Sequence, residues 1–268
     1  MPSMNETVKR ELDGASNLSS PMIYEVIRRD GEEELERPMK SLVWSAIAAG
    51  ILISLSVLGE AIFRTYLPDA GWRPLLENLG YSIGFIAVIM GRMQLFTENT
   101  ITTVLPVMAA PGLIGRLARL WAIVLGANVL GAFAAAGFMA HGGGIDPALS
   151  PAIRALSEHA MGFSPAESFL RGIPAGLLVA AIVWMMPQSR TGSLPIIIIF
   201  TWLIAAGDFT HVVAGSVEMA YLMVLGELGV MTALFAFFLP VLAGNIVGGT
   251  LIFSLLAWGQ VRDEISDK

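Results

Sequence analysis

Apolar residues gather in six long runs, at about 41–63, 75–109, 117–140, 167–186, 193–225 and 229–258, with polar residues concentrated between and outside them. Each run can cross the roughly 30 Å hydrocarbon core of a bilayer, which takes about 20 helical residues. None alternates with period two, so the pattern predicts helices rather than barrel strands. The second and fifth runs are longer than one straight crossing needs, and each carries a polar cluster near its middle, Gln94 to Thr103 and Gly207 to His211. Irregular backbone at membrane depth is tolerated only where protein or a wet cavity satisfies its polar groups. The expectation is therefore an all-α integral membrane protein with six transmembrane helices, of which the second and fifth are broken. Half-helices are expected to start after Thr97 and after Asp208, aiming their N-terminal N–H groups and positive dipole ends at the centre, a setting attractive to anions.

The six runs read as three used twice. Gly126-Ala-Asn-Val-Leu-Gly131 in the third run is similar to Ala243-Gly-Asn-Ile-Val-Gly-Gly249 in the sixth, which aligns Asn128 with Asn245, 117 positions on. Leu95-Phe-Thr-Glu98 in the second is similar to Asp208-Phe-Thr-His211 in the fifth, 113 positions on. Three spans per half is an odd number, so homologous halves must lie in the membrane with opposite orientation. Such inverted repeats place a transport pathway where the halves meet.

Composition agrees with a membrane protein. Of 268 residues, 55% are hydrophobic and 14% charged, with mean hydropathy +0.69, where a soluble domain carries about 25% charged residues. The first 40 residues are polar and include Asp30-Gly-Glu-Glu-Glu-Leu-Glu36, so no cleavable leader is expected. Sorting basic residues over the six spans puts Lys9, Arg10, Arg28, Arg29, Arg37, Lys40, Arg116, Arg119, Arg190, Arg262 and Lys268 on one side, and Arg64, Arg73, Arg154 and Arg171 on the other. The richer side is cytoplasmic, which places both termini there. The expected organisation is a cytoplasmic N-terminal tail over 1–40, a transmembrane domain over 41–260 with repeats at about 41–140 and 167–258, and a short cytoplasmic tail over 261–268. The net charge of −6 resides mostly in the tails and gives no sign of a nucleic-acid partner. With no cysteine and three scattered histidines, neither thiol chemistry nor a metal centre is expected, and no cofactor.

Several stretches resemble the formate/nitrite transporter family: Phe237 to Leu251 ("FFLPVLAGNIVGGTL"), Leu95 to Thr97 ("LFT"), Asp208 to His211 ("DFTH"), and Arg171 to Met186 ("RGIPAGLLVAAIVWMM"). Ser20-Pro21, opening an amphipathic N-terminal helix, and Ser45 to Leu55 ("SAIAAGILISL") also fit, so the resemblance runs from about residue 20 to 260. It implies an aquaporin-like six-helix protomer in a homopentamer of the bacterial inner membrane. It also implies that each protomer conducts small monovalent anions such as formate, nitrite or hydrosulfide, with a proton. Carried over residue by residue, Leu95, Phe96 and Thr97 are the slit and break positions and His211 the central histidine. The sequence departs from the family where Thr210-His211-Val212-Val213-Ala214-Gly215 replaces an acid and an asparagine flanking the histidine, where Ala160 and Gly176 fall at the places of a lysine and an asparagine, and where Glu98 replaces a small residue. Arg171 can partly replace the missing charge. These departures resemble the YfdC-type branch.

Independently of resemblance, Asp208, His211, Gly215 and Glu218 are spaced 3, 4 and 3 apart, one face of a helix. With Glu98 they form a possible acid–histidine proton relay. An anion is expensive in an apolar slit, a weak acid escapes the cost by becoming neutral, and a histidine titrating near 6.5 can exchange the proton. The plainer readings are that Asp208 caps the following half-helix through the His211 N–H, that Glu98 pairs with Arg92 or with loop backbone, that Asn128 and Asn245 pack helices, that Phe96 and Phe209 are ordinary core, and that His141 and His159 are solvated. Against the last but one, the matching places of Phe96 and Phe209 beside the two breaks favour the slit, and Thr210 joins them as a pore residue. Two further functions stay open: an aquaporin-like channel for neutral solutes, and a non-transporting scaffold. An enzyme is not expected.

Overall fold

The computed structural model describes residues 18–189 and 192–265. Residues 1–17 of the expected N-terminal tail, residues 190–191 and residues 266–268 lie outside the described residues. The described chain is helical: α1 (Ser20–Glu36), α2 (Met39–Tyr66), α3 (Arg73–Glu77), α4 (Ser82–Met90), α5 (Phe96–Thr102), α6 (Val104–Ala109), α7 (Ile114–His141), α8 (Ser150–Met161), α9 (Pro165–Met185), α10 (Ser193–Ala206), α11 (Val212–Val224) and α12 (Val230–Ile265). Among the described residues, the helices long and apolar enough to cross a membrane are α2, α9, α12 and the one ending in α7; α10 and α11 are shorter and apolar. The second and fifth apolar runs are thus interrupted, between α4 and α5 and between α10 and α11.

Two helix pairs pack unusually closely, α2 on α7 and α9 on α12. A Cβ on Gly50 would collide with the Asn128 carbonyl, and one on Gly176 with the Asn245 carbonyl. Small residues permit this approach, and with no hydrophobic drive between helices in lipid, such contact is what holds a bundle together. α9 begins with a reciprocal cap: Ser164 Oγ accepts from the Glu167 N–H at 3.3 Å and Glu167 accepts from the Ser164 N–H at 2.9 Å.

The acidic run at 30–36 forms the second half of α1 with most of its carboxylates exposed; Ile23, Ile27, Gly31 and Leu35 recur every four residues and, with Tyr24, are buried, the stripe of an amphipathic helix. A Cβ on Gly31 would strike the Thr102 carbonyl, so this glycine lets α1 lie against α5. Its outer face carries Glu25–Arg28, Glu25–Arg29, Arg28–Glu32 and Glu34–Arg37 ion pairs.

Candidate functional site

Both breaks start with the same helix ending. The N–H groups of Arg92 and Asp208 donate to the carbonyls of Ile89 and Ala205 at 3.1 and 2.9 Å, and those of Met93 and Phe209 to Val88 and Ile204 at 3.0 and 2.9 Å. This is a Schellman ending. Arg92 and Asp208 occupy its left-handed position, with φ of 51° and 57°, a conformation costing a side-chain-bearing residue about 1 kcal/mol or more. The chain then extends through Leu95 and His211, and the next helices begin at Phe96 and Val212. The half-helices therefore do not start after Thr97 and after Asp208. Corresponding break residues are 116 apart (Arg92 with Asp208, Leu95 with His211), not the 113 suggested by the Leu-Phe-Thr and Asp-Phe-Thr likeness. That likeness rests on side chains, whereas hydrogen bonding and φ define a break.

At each break one asparagine bridges the first N–H of the next half-helix to the carbonyl two residues before it, and also bonds a carbonyl of a packed helix. Asn128 Oδ1 accepts from the Phe96 N–H at 2.9 Å, and its Nδ2 donates to Gln94 O and Ala46 O, both at 2.8 Å. Asn245 Oδ1 accepts from the Val212 N–H at 2.9 Å, and its Nδ2 donates to Thr210 O at 3.0 Å and Gly172 O at 2.9 Å. Unpaired backbone groups in an apolar interior cost several kcal/mol each, so these side chains are what make the breaks tolerable at this depth. They do more than pack helices. They also occupy the first N–H of each half-helix, which leaves fewer donors for an anion than the dipole argument supposes.

His211 is 2% exposed and sits at the second break. Its Nδ1 accepts from the Ala214 N–H at 3.2 Å, making the histidine itself the N-cap of α11. Its Nε2 lies 2.8 Å from Thr97 Oγ1, across from the other break. Because a backbone N–H can only donate, Nδ1 bears no proton, and Nε2–H of the neutral ring donates to Thr97. The Phe85 ring meets the imidazole edge-on at 5.1 Å. Leu95 is fully buried at the first break.

Phe96 packs against Trp121 at 5.4 Å between ring centres and lines neither cavity described below, whereas Phe209 lines a cavity on the His211 side. Thr210 donates to Ser168 O at 2.7 Å. Asp208 is not the helix cap: its carboxylate meets His159 Nε2 at 2.9 Å and Arg171 Nη1 at 3.4 Å. His159 is exposed, as expected, and also bonds Asp208. Arg171, stacked on Phe163 at 4.3 Å and donating to Asp208 O at 3.1 Å, is committed to holding the break.

Two cavities approach this centre from opposite ends of α4. One, of about 350 Å³, includes Tyr81, Asp208, Phe209, Thr210, His211, Gly215 and Glu218. The other, of about 410 Å³, includes Ile89, Arg92, Gln94, Glu98, Asp30 and Glu34. Leu95 and Thr97 line neither; Thr97 bonds His211 of the first and is followed in the chain by Glu98 of the second. Asp208, His211, Gly215 and Glu218 thus share one cavity as their spacing suggests, although Asp208 precedes the helix. Glu98 does not join them. It shares the second cavity with Arg92, and no hydrogen bond or ion pair joins the two. Burial pushes the Asp30 carboxyl there above its ordinary value. The sequence reading passed over Glu60 of α2, which lines the first cavity; the signal was a lone acid in an apolar span, rare and by default functional.

Interrupted apolar helices held open at depth by buried polar side chains, with cavities on both sides, define a polytopic membrane protein of the channel or transporter class. The formate/nitrite transporter model matches residues 21–259, and the chain belongs to that family. It is 46% identical over 248 residues, 92% of this chain and 80% of the other, to the inner membrane protein YfdC of Escherichia coli K12. It is 26% identical to the formate channel FocA of Haemophilus influenzae, over 81% of this chain and 84% of that one. Among solved structures, one described as an FNT family ion channel superposes with a TM-score of 0.75 at 20% identity, covering 90% of this chain and 98% of that one. A pentameric formate channel with formate bound gives 0.69 at 22%, covering 84% and 98%.

Proposed function

We propose that the protein is a homopentameric channel or transporter of the bacterial inner membrane for small monovalent anions or their weak acids, of the formate, nitrite and hydrosulfide class, with movement linked to protons. Each protomer has six spans in two inverted repeats and both termini in the cytoplasm, so the cavity above His211 opens to the periplasm and the one below Leu95 to the cytoplasm. The observation that carries the reading is the 2.8 Å contact between Thr97 and His211, one residue from each break. Support for the inverted repeat comes from the two asparagines and their matched sets of three partners. The substrate class is supported by the formate channels among the relatives.

The centre offers polar contact without a fixed positive charge. The neutral imidazole and the Thr97 hydroxyl can hydrogen-bond a small polar solute, while Leu95 and Phe85 make an unneutralised ion expensive. A weak acid crossing as its neutral form meets both conditions. The carboxyls of Asp208, Glu218 and Glu98 lie in the two approaches and supply proton-exchanging groups there. Uptake of formate, nitrite, acetate and hydrosulfide by proteoliposomes, with and without a pH gradient, tests this. Uptake of at least one above protein-free liposomes, increased by an inward proton gradient, is expected; none above that background would leave the scaffold reading.

A further inference from the structure

Glu60 lies one helical turn before Arg64 on α2, within the apolar span. It is 6% exposed, and among the described residues it has no hydrogen-bond or ion-pair partner, yet it lines the cavity above His211. Its backbone is fixed: a Cβ on Gly80 would run into the Glu60 N–H, so α2 is pressed against the turn between α3 and α4. The charged groups that bear on it are Glu218 from α11, Glu77 from α3, Arg64 from its own helix and Asp208 from the second break. Tyr81, Arg73, Asn78, His159, Thr210 and His211 complete the polar wall.

The other acids of this cavity are paired. Glu77 meets Arg64 at 3.1 Å and Arg73 at 3.5 Å, and Asp208 meets His159 and Arg171. Glu60 and Glu218 are left without a counter-ion. A buried charge without one is costly, and two carboxylates in one cavity repel each other, which a retained proton relieves. His211 is badly placed to provide a proton. Protonating its Nδ1 would set an N–H against the Ala214 N–H that now caps α11 through it.

We infer that Glu60 and Glu218 form the proton-loading station of the pathway, transferring a proton to a weak-acid anion in the cavity so that it reaches His211 as the neutral acid. The inference rests on the weak-acid reading above. In the transfer, the carboxyl O–H bond breaks and an O–H bond forms on the anion, or S–H for hydrosulfide. The electron pair stays on the glutamate, which is reprotonated from cavity water. Arg64 and Arg73, beside Glu77, add positive charge to the anion's approach. In the reverse direction the station accepts the proton.

The test uses the full chain in proteoliposomes with formate as probe, comparing wild type, Glu60→Gln, Glu218→Gln, the double variant and Glu60→Asp. The double variant is expected to lose about a hundredfold of the proton-gradient-driven rate, the low end for a positioned proton donor, while Glu60→Asp retains most of it. Infrared spectra across a pH titration are expected to show a protonated-carboxyl stretch at neutral pH that disappears in the double variant. Wild-type rates and gradient response in the double variant would overturn the station and leave the channel reading intact. A wild type that moves no weak acid would overturn the channel reading and the station with it. If the double variant fails to assemble, the single variants and the infrared band decide, and absence of any such band from Glu60 or Glu218 overturns the station without reference to transport.

Discussion

Thr97 Oγ1 lies 2.8 Å from His211 Nε2, and this bond ties the half-helix after one break to the residue that caps the half-helix after the other. The histidine thereby carries two tasks in one tautomer, closing α11 through Nδ1 and presenting Nε2–H to the centre. A residue so committed is a polar contact point, because protonating Nδ1 would break the cap it makes with the Ala214 N–H.

The asparagines are expected to be structurally equivalent. Asn128→Ala and Asn245→Ala each strand two buried backbone groups of a break, the N–H and the carbonyl that the amide bridges, at about 1–3 kcal/mol for each unsatisfied group, less whatever water enters. Both variants should lower the unfolding midpoint in detergent by a similar, large amount, measured by thermal or denaturant unfolding. A mild effect in one and a severe effect in the other would break the equivalence.

Gly176 should not accept the asparagine found at this place in the family. Its Cβ direction points into the Asn245 carbonyl, so Gly176→Ala and Gly176→Asn must separate α9 from α12, at about 1–3 kcal/mol or more for overpacking. Gly259→Ala, whose Cβ would meet nothing within 4 Å, is the matched control and should unfold like the wild type.

The outer ladder of α1 gives a pH dependence. The Arg28 guanidinium, hydrogen-bonded to Glu25 and helped by Arg29, lowers that carboxyl from an ordinary 4.5 to about 2. A carboxyl lowered by folding stabilises the fold above its free value, and the contribution disappears as pH falls towards the folded value. Hydrogen exchange of α1 should therefore quicken as pH falls from about 4.5 to about 2, beyond the intrinsic pH effect. Glu25→Gln should remove that dependence. Because Glu25 is partly exposed, the effect is modest and salt-sensitive.

Much of the fold was legible because hydropathy reports burial in lipid directly. The over-long second and fifth runs and their central polar clusters located both breaks to within a few residues. Their register was not legible, because Leu-Phe-Thr and Asp-Phe-Thr match as letters while the backbone aligns Leu95 with His211. The repeated asparagine was visible in sequence, but its partners are main-chain groups far along the chain and leave no mark there. His211, Gly215 and Glu218 come together because α11 and its cap keep their spacing, and Asp208 joins them from the break before the helix. His159 and Arg171 meet Asp208 through tertiary packing that no local pattern encodes. Glu60 carried a signal, a single acid within an apolar span, which is informative only once each ionisable residue at membrane depth is asked for its partner.

Formate uptake by wild type and by His211→Ala, at equal reconstituted protein and under one imposed proton gradient, tests the pathway through the two breaks most directly. The His211→Ala rate is expected to fall by at least about tenfold, the kinetic equivalent of losing one buried polar contact worth roughly 1.4 kcal/mol. Equal uptake by the two proteins would contradict a route past His211.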